Sequence, residues 1–374
     1  MTSTQPQTHL PAEPGRAAGQ RVETVVVGGG QAGLATAHWL AKAGRDCLVL
    51  EDRERIGEQW RGRYNSLRLF TPARVDSLPG LPFPGPQSAF PTGRELGDYL
   101  EQYAASLSVP VRTGVRLLSV EPLAGGGFRL TTSRGQIAAE NVVVATGSDA
   151  VPKVPQVSAA LDPGIRQLHS SQYRNPAQLL PGPVLVVGAG TSGADLAMEA
   201  VGAGHETWLS GHHPGEIPGN ERVRAPLFWF AANHVLTLRN PLGRRARAAM
   251  RAAGRAPLVR TRRAHLDAAG VHRTQARTVA AVDGKPQLDD GTVLDVANVL
   301  WCTGYRRDYS FVPAVRLDAD GFPLEHDGAA EGVPGLYFVG LFFQRAFSSH
   351  LVGGVGRDAK VVAEQICARS RQRV

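Results

Sequence analysis

The sequence predicts an α/β protein made of two similar halves, on three observations. A short β-branched strand at 22–27 runs into three consecutive glycines and then a helix; the same strand, glycine turn and helix return at 184–203; and two buried strands, 141–147 and 299–304, each end in Thr-Gly. A length of 374 residues suits two domains. Hydrophobic residues make up 43% of the chain and charged residues 20%, beside 43 Gly and 26 Pro, so the chain is globular and rich in turns, neither disordered nor collagen-like.

Taken in order, residues 1–20 have no apolar run after a basic start and read as a disordered leader, not a signal peptide. After the first strand, Leu34, Ala37, Leu40 and Ala41 recur at helical spacing until Gly44, and 47–51 is a second buried strand that closes a βαβ unit. Residues 61–87 are irregular and proline-rich. From 94 to 107, Leu96, Tyr99, Leu100, Tyr103 and Leu107 share one helical face, and 111–120 and 128–132 read as strands. A connector with six prolines spans 152–183, with a linker expected at 156–179. The second unit follows as strand 184–187, helix 192–203 and strand 207–210. Residues 239–263 hold nine arginines and no acid, a basic helical segment or pair of segments. A strand at 336–339, a loop and a helix over about 354–368 complete the pattern.

The first glycine turn, Gly28-Gly29-Gly30-Gln31-Ala32-Gly33, has the spacing that a dinucleotide demands. Gly28 permits the tight turn, Gly30 lets the backbone approach a pyrophosphate, Gly33 lets the helix pack on the strand, and the helix N-terminus offers free N–H groups. Glu51, 18 residues after Gly33, ends the next strand where ribose hydroxyls need an acceptor. The alternative is a glycine-rich structural turn. The second turn carries Gly188, Gly190, Thr191, Ser192 and Gly193, but its next strand ends in Ser210-Gly211-His212-His213 with no acid. An acid there would repel a 2′-phosphate, so Ser210 and His212 favour NADPH over NADH, with Arg222, Arg224 or an arginine of the basic segment as the cationic partner. Two Rossmann-like units in one chain pair a nicotinamide with a flavin that takes its hydride.

The formal charge is +8, and of 41 basic residues only Lys42, Lys153, Lys285 and Lys360 are lysines. Phosphate ligands, nucleic acid or an anionic membrane surface are each compatible with such an excess. The nine arginines of 239–263 outnumber it, so the basicity is local to the second unit. No aromatic platform or DNA-binding motif accompanies them, which argues against nucleic acid. They read as a solvated helical face or, with Leu227, Phe228, Trp229 and Phe230 upstream, as a substrate-covering or membrane-facing wall. Cys47, Cys302 and Cys367 are too few and too scattered for a disulfide framework, a zinc site or a CxxC pair; no metal is expected, and a reducing cytoplasm fits. The longest apolar stretch, 225–238, is interrupted and falls short of the ~20 residues that span a bilayer.

Gly28 to Gly33, Gly57-Glu58-Gln59-Trp60, the helix that follows Pro91-Thr92, Ala145-Thr146-Gly147, Gly188 to Gly193 and Thr303-Gly304-Tyr305 occur in an order that resembles class B flavin-dependent monooxygenases, and within them the short bacterial CzcO-like and plant YUCCA-like enzymes, over residues 22–370. The resemblance implies an NADPH domain (180–304) inserted within a discontinuous FAD domain (21–155 and 305–374). It implies cofactor contacts from Gln59, Trp60, Thr71, Leu117, Thr146, Gly147, Thr303, Gly304, Gly340 and His350, beside the two glycine motifs and Glu51. It also implies the chemistry: NADPH reduces FAD, O2 adds at C4a, and the hydroperoxide passes one oxygen to a small organic substrate at N, S or activated carbon. The partners are then that substrate and O2, with no nucleic acid and no transmembrane segment, a homodimer being left open.

The connector signature F-x-G-x-x-x-H-x-x-x-(Y/F/W)-(K/R)-(P/D) is matched by His169, Tyr173 and Arg174, whereas Pro163 and Ile165 replace its first half. His169 is either catalytic or a hydrogen-bonded linker residue. The animal enzymes place an Asn beside the flavin after Y-x-S-x; here Tyr64-Asn65-Ser66-Leu67-Arg68-Leu69 leads to Phe70 and Thr71, which makes Thr71 either a flavin neighbour or a cap on the turn at Pro72. Gly335 to Gly340 lacks the Asp of disulfide-reductase flavoproteins. The helix after Gly353-Gly354 is expected to point its N-terminus at the flavin pyrimidine edge, with His350 as a neighbour or a solvated loop residue. Substrate choice is expected in 60–90, 216–263 and 341–352. The rival readings are an FAD-dependent NADPH oxidase or reductase that passes electrons to a quinone or protein partner, and a non-catalytic nucleotide-binding sensor.

Overall fold

The computed structural model describes residues 21–147, 151–217, 229–253 and 257–372. The expected leader and the candidates Arg222, Arg224, Leu227 and Phe228 lie outside the described residues. In chain order, β1 (Arg21–Val27), α1 (Gln31–Lys42), β2 (Cys47–Leu50), α2 (Glu58–Arg61), α3 (Gly93–Ser106), β3 (Val111–Arg112), β4 (Leu117–Pro122), β5 (Phe128–Thr132), β6 (Gly135–Val144) and β7 (Val151–Pro152) form the first part. The middle holds β8 (Arg166–His169), β9 (Val184–Val187), α4 (Thr191–Gly202), β10 (Thr207–Ser210), α5 (Pro241–Ala253), α6 (Arg263–Ala268), β11 (His272–Thr274), β12 (Thr278–Val282), β13 (Lys285–Leu288) and β14 (Asn298–Trp301). The rest is β15 (Tyr305–Arg306), β16 (Glu325–His326), β17 (Ala329–Ala330), β18 (Leu336–Phe338) and α7 (Val352–Arg371).

Two parallel sheets result. The first runs β18-β6-β1-β2-β3, with β16 and β17 beyond β18 and an antiparallel excursion, β4 and β5, on the early half of β6. Val25 faces Leu48 on one side and Val142 on the other. The second runs β11-β10-β9-β14-β8, all parallel, with Leu185 between Trp208 and Val299. β2, β9 and β14 are buried throughout, as central parallel strands covered on both faces must be. The chain passes between the sheets twice, and the two crossings pair as β7 against β15.

The apolar stripe of α1 is covered by α7: Leu34, Leu40, Val355 and Ile366 are fully buried together, each contributing ~1.5–3 kcal/mol of transfer free energy, and Trp39 Nε1 donates to the Gly356 carbonyl at 2.8 Å. Thr92 starts α3 with a capping box, its hydroxyl accepting from Glu95 N while Glu95 accepts from Thr92 N at 2.7 Å.

Three expectations change. The expected strand 111–120 is broken, because Gly114 turns with φ +64° and donates its N–H to Arg53. The expected linker 156–179 contains β8, the edge strand of the second sheet, with Leu168 opposite Leu300; four residues between prolines give no periodicity long enough to reveal it. The closing helix is longer at both ends than expected, since Val352 to Arg371 all continue its turn. No helix among the described residues is long and apolar enough to cross a membrane.

Candidate functional site

The two glycine turns are the same device built twice. Gly28 adopts φ +108°, and a Cβ there would sit 2.5 Å from the Ala145 carbonyl oxygen; Gly188 adopts φ +107°, with the Cys302 carbonyl oxygen at 2.4 Å. A Cβ on Gly33 would lie 1.9 Å from Gly28 O, and one on Gly193 would lie 1.8 Å from Gly188 O. Helix, loop and two strands are therefore in backbone contact, which only glycine allows. At Gly30 and Gly190 the reverse holds: nothing lies within 4 Å of a Cβ, and neither helix has a side-chain cap or an acid in its first turn. Each cradle thus presents free N–H groups and open space, the fit a pyrophosphate needs.

Around the first cradle, Glu51 accepts from Gly29 N at 2.7 Å and from Arg53 N at 3.0 Å. Burial pushes its carboxyl above the usual range, and those two N–H donors oppose the rise. Gln31 accepts from Trp60 Nε1 at 3.3 Å, and Gly340 lies so close to Ala32 that a Cβ would be 2.9 Å from the Ala32 Cβ. Gln59, Thr146 and Gly147 are exposed at the rim. Leu117 lies in β4 opposite Thr132, half-buried on the core, and the backbone that meets Glu51 is that of Arg112 and Val115.

His169 is buried, with Nδ1 2.9 Å from Ser171 Oγ, Nε2 3.0 Å from the Gly304 carbonyl, and its ring edge-on to Tyr305. That ties the connector to the second crossing, where the Thr303 hydroxyl also donates to Lys153 O. His350 is packed between Phe342 and Phe347, so it is not a solvated loop residue.

Beside the second cradle is a cavity of about 280 Å3 lined by Ala189, Gly211, His213, Arg263, Arg273 and Gln275, among others. Ser210, expected to face a phosphate, is buried and donates its hydroxyl proton to Ala276 O at 2.8 Å. His212 is exposed, and its neighbour His213 lines the cavity instead. Arg273 is held in a fork by Asp267 at 2.6 and 2.9 Å. Sequence reading missed this set because α6 and β11 reach the cavity from about seventy to eighty residues beyond the glycine turn; the residue signal, cations after a strand that ends without an acid, was present.

Between the sheets runs a polar seam that sequence reading also missed. Tyr64 donates to Asp195 at 3.1 Å, Thr261 donates to the other Asp195 oxygen at 2.5 Å, and Ser66 donates to Glu199 at 2.7 Å. Burial pushes both carboxyls up. Asp195 and Glu199 are one turn apart on α4, a spacing that could have been read as one helical face.

The three stretches expected to choose the substrate meet. Phe70 and Val75, Trp229 and Met250, and Phe342, Phe343, Phe347 and Leu351 form one apolar cluster. At its edge Thr71 donates to Asp76 at 2.7 and 2.9 Å, both residues being buried. Asp76, unnoticed in an irregular stretch, is pushed up to about 7 by burial, with the Thr71 hydrogen bond opposing. The basic segment is not wholly solvated: Arg251 reaches Asp318 at 2.8 Å, and the guanidinium groups of Arg251 and Arg307 lie 3.7 and 3.5 Å from the centre of the Phe322 ring. Trp229 is buried, whereas Phe230 is 59% exposed.

Comparisons with known proteins agree with this architecture. Residues 25–224 match the family model described as pyridine nucleotide-disulphide oxidoreductase. An uncharacterized oxidoreductase, CzcO-like, of Geobacillus kaustophilus is 36% identical over 350 residues, covering 92% of this chain and 98% of the relative. A probable indole-3-pyruvate monooxygenase, YUCCA3, of Arabidopsis thaliana is 29% identical over 93% of this chain and 87% of its own. Among solved structures, a flavin-containing monooxygenase from Stenotrophomonas maltophilia superposes with a TM-score of 0.72 at 28% identity, covering 94% of this chain and 99% of that one. Cyclohexanone monooxygenase, at 15% identity and a TM-score of 0.67, shares the fold. With two phosphate cradles of one design and relatives matched along nearly their whole length, the chain belongs to the class B flavin monooxygenase-like family and is an FAD-dependent oxidoreductase that uses NADPH.

Proposed function

We propose that the protein is an NADPH-dependent monooxygenase that inserts one oxygen atom from O2 into a small, largely apolar organic substrate at nitrogen, sulfur or activated carbon. The observation that carries this reading is the apolar cluster in which the three irregular segments meet. Oxygen transfer needs a water-excluding wall next to the cofactor, whereas electron transfer to a protein or quinone does not. When bound, FAD reduced by NADPH supplies the activation of O2, and the chain's residues bind, orient and shield.

We assign residues 21–155 and 305–374 to FAD and 180–304 to NADPH, with β8 added to the latter. The cradle at Gly28, Gly30 and Gly33 takes the FAD pyrophosphate, and Glu51 takes a ribose hydroxyl. The Gly188–Gly193 cradle takes NADPH, and Arg263, Arg273 and His213 take the 2′-phosphate in place of Ser210. Phe70, Trp229, Phe342 and Phe347 exclude water from the substrate side. Cys47, Cys302 and Cys367 are free thiols on three separate parts of the chain, β2, the residue after β14 and α7, so no CxxC dithiol competes for the electrons.

The test is incubation of the FAD-loaded protein with NADPH, 18O2 and a panel of amines, sulfides and 2-oxo acids. One labelled oxygen in a product, with NADPH consumed in step, is the expected result. NADPH oxidation that yields only hydrogen peroxide across the panel, or that turns over only when a quinone is added as acceptor, would replace monooxygenase with the oxidase or reductase reading.

A further inference from the structure

We propose that Thr71 and Asp76 form a donor–acceptor switch at the flavin site, in which the protonation state of Asp76 decides whether the Thr71 hydroxyl accepts or donates there. The inference rests on the FAD assignment above, with Thr71 as a flavin neighbour and not only a cap on the turn at Pro72.

The geometry allows the Thr71 hydroxyl few choices. It lies 2.7 and 2.9 Å from the two Asp76 oxygens, and both residues are nearly sealed from solvent, at 6% and 1% exposure. A hydroxyl has one proton and two lone pairs. While Asp76 is ionised, that proton is committed to the carboxylate, so Thr71 offers only lone pairs elsewhere. When Asp76 takes up a proton, the acid O–H donates to Thr71 Oγ across the same short contact, and the Thr71 proton is released to donate outward. No covalent bond beyond the Asp76 O–H is made.

The surroundings hold the pair in place without neutralising it. Tyr99 of α3 is the titratable neighbour whose own ionisation feels Asp76, but its hydroxyl is taken, accepting from Leu78 N and donating to Leu81 O, each at 2.7 Å. Arg74, on the same turn, is exposed. On the other side is the start of α7, where Gly353 passes so close to the Val75 carbonyl that a Cβ would fall 1.5 Å from it. Its first charged residues point elsewhere: Arg357 bonds Asn233 and Ser348, and Asp358 lies beside Arg345. Among the described residues no cation is paired with Asp76. A buried carboxyl in this position, pushed up to about 7, changes charge within the neutral range. Val75, next to Asp76, packs on Gly353 at the start of α7, and Val355 of the same turn meets Gly340 beside Ala32 of the first cradle, which sets the pair on the cradle's side of the chain; a hydroxyl there donates only when its proton is free.

Two measurements test this on the wild type and on Asp76→Asn, Thr71→Val and Thr71→Ser. In the FAD-free chain, the 13C resonance of the Asp76 carboxyl is followed against pH; it titrates near neutrality in the wild type and at higher pH in Thr71→Val, which removes a hydrogen bond to the charged form. In the FAD-loaded protein without substrate, the flavin midpoint potential is followed against pH. Wild type and Thr71→Ser show a change of slope at the pH of the Asp76 titration, and Asp76→Asn and Thr71→Val lose it. A slope change that survives Asp76→Asn, or a Thr71→Ser protein that behaves as Thr71→Val does, overturns the switch; should Asp76→Asn fail to fold, the two Thr71 variants decide. A chain that takes up no FAD defeats the cofactor assignment itself and the switch with it, whereas an FAD-loaded chain with no slope change defeats the switch alone.

Discussion

Replacing Gly30 by Ala separates cofactor binding from folding. In the FAD-free chain the new Cβ meets nothing within 4 Å, and Gly30 sits at φ −81°, ψ −173°, where alanine is at ease. Two small effects oppose each other: the unfolded chain loses freedom, worth ~0.4–1 kcal/mol of added stability, and the helix exchanges a tolerated N-cap for a poor one, costing ~0.5–1 kcal/mol. The net change in the FAD-free protein is therefore within ~0.5 kcal/mol of zero. The space it fills is the space a pyrophosphate needs, so FAD is lost. With it goes the ligand-linked stabilisation, ~4 kcal/mol at a free cofactor concentration 1,000 times Kd. The assay is flavin absorbance per chain after purification, beside urea unfolding with and without added FAD. Gly190→Ala is the matched control, expected to keep its FAD and lose NADP+ binding. Gly33→Ala marks the contrasting failure: a Cβ 1.9 Å from Gly28 O must push helix from loop, and ~3 kcal/mol or more of stability goes with the cofactor. A Gly30→Ala protein that purifies fully yellow would refute the cradle argument.

Arg263→Ala and Arg273→Ala should each weaken NADPH binding by ~10–100-fold, the worth of one charge-assisted hydrogen bond, and leave NADH nearly unchanged in fluorescence titrations. Asp76→Asn should stabilise the FAD-free chain more at pH 8 than at pH 4: a carboxyl raised to about 7 contributes stability below its unfolded value of 3.8 and loses it as pH rises through 7. The gap in urea-unfolding free energy is expected to widen by at most ~4 kcal/mol over that range. Tyr64→Phe should cost ~1–2 kcal/mol in the same assay and push the Asp195 carboxyl further up, because one hydrogen bond to its charged form is gone while that from Thr261 remains.

The two glycine cradles were legible because their geometry is local. Gly28, Gly30 and Gly33 each answer a backbone requirement within six residues of chain, and Glu51 follows at the end of the next strand, so spacing alone conveys the geometry. The rest depends on partners distant in sequence. Ser210 and His212 were read as phosphate-facing from their place after a strand, but β11 and the turn that follows it claim the Ser210 hydroxyl and turn His213 to the cavity. Asp76 is one acid in an irregular stretch, and its meaning comes from burial that no periodicity announces. The arginines of α5 looked solvated because the acid and the ring that receive Arg251, Asp318 and Phe322, come some seventy residues later. β8 was hidden by the opposite cause: proline density around it suggested a connector, whereas parallel pairing with β14 made it a strand.

The cover that α7 lays over α1 has a consequence in time. Trp39 bonds to Gly356, 317 positions later, and the Gly353 turn closes under Val75. During synthesis the first βαβ unit therefore waits, with Leu34 and Leu40 bare, until nearly all the intervening chain has left the ribosome, and at ~5–20 residues per second that wait lasts tens of seconds. The first cradle is translated long before α7 and is among the last of the described parts to be enclosed. Flavin supply during that interval, as well as affinity afterwards, should govern how much of the newly made protein reaches its loaded form.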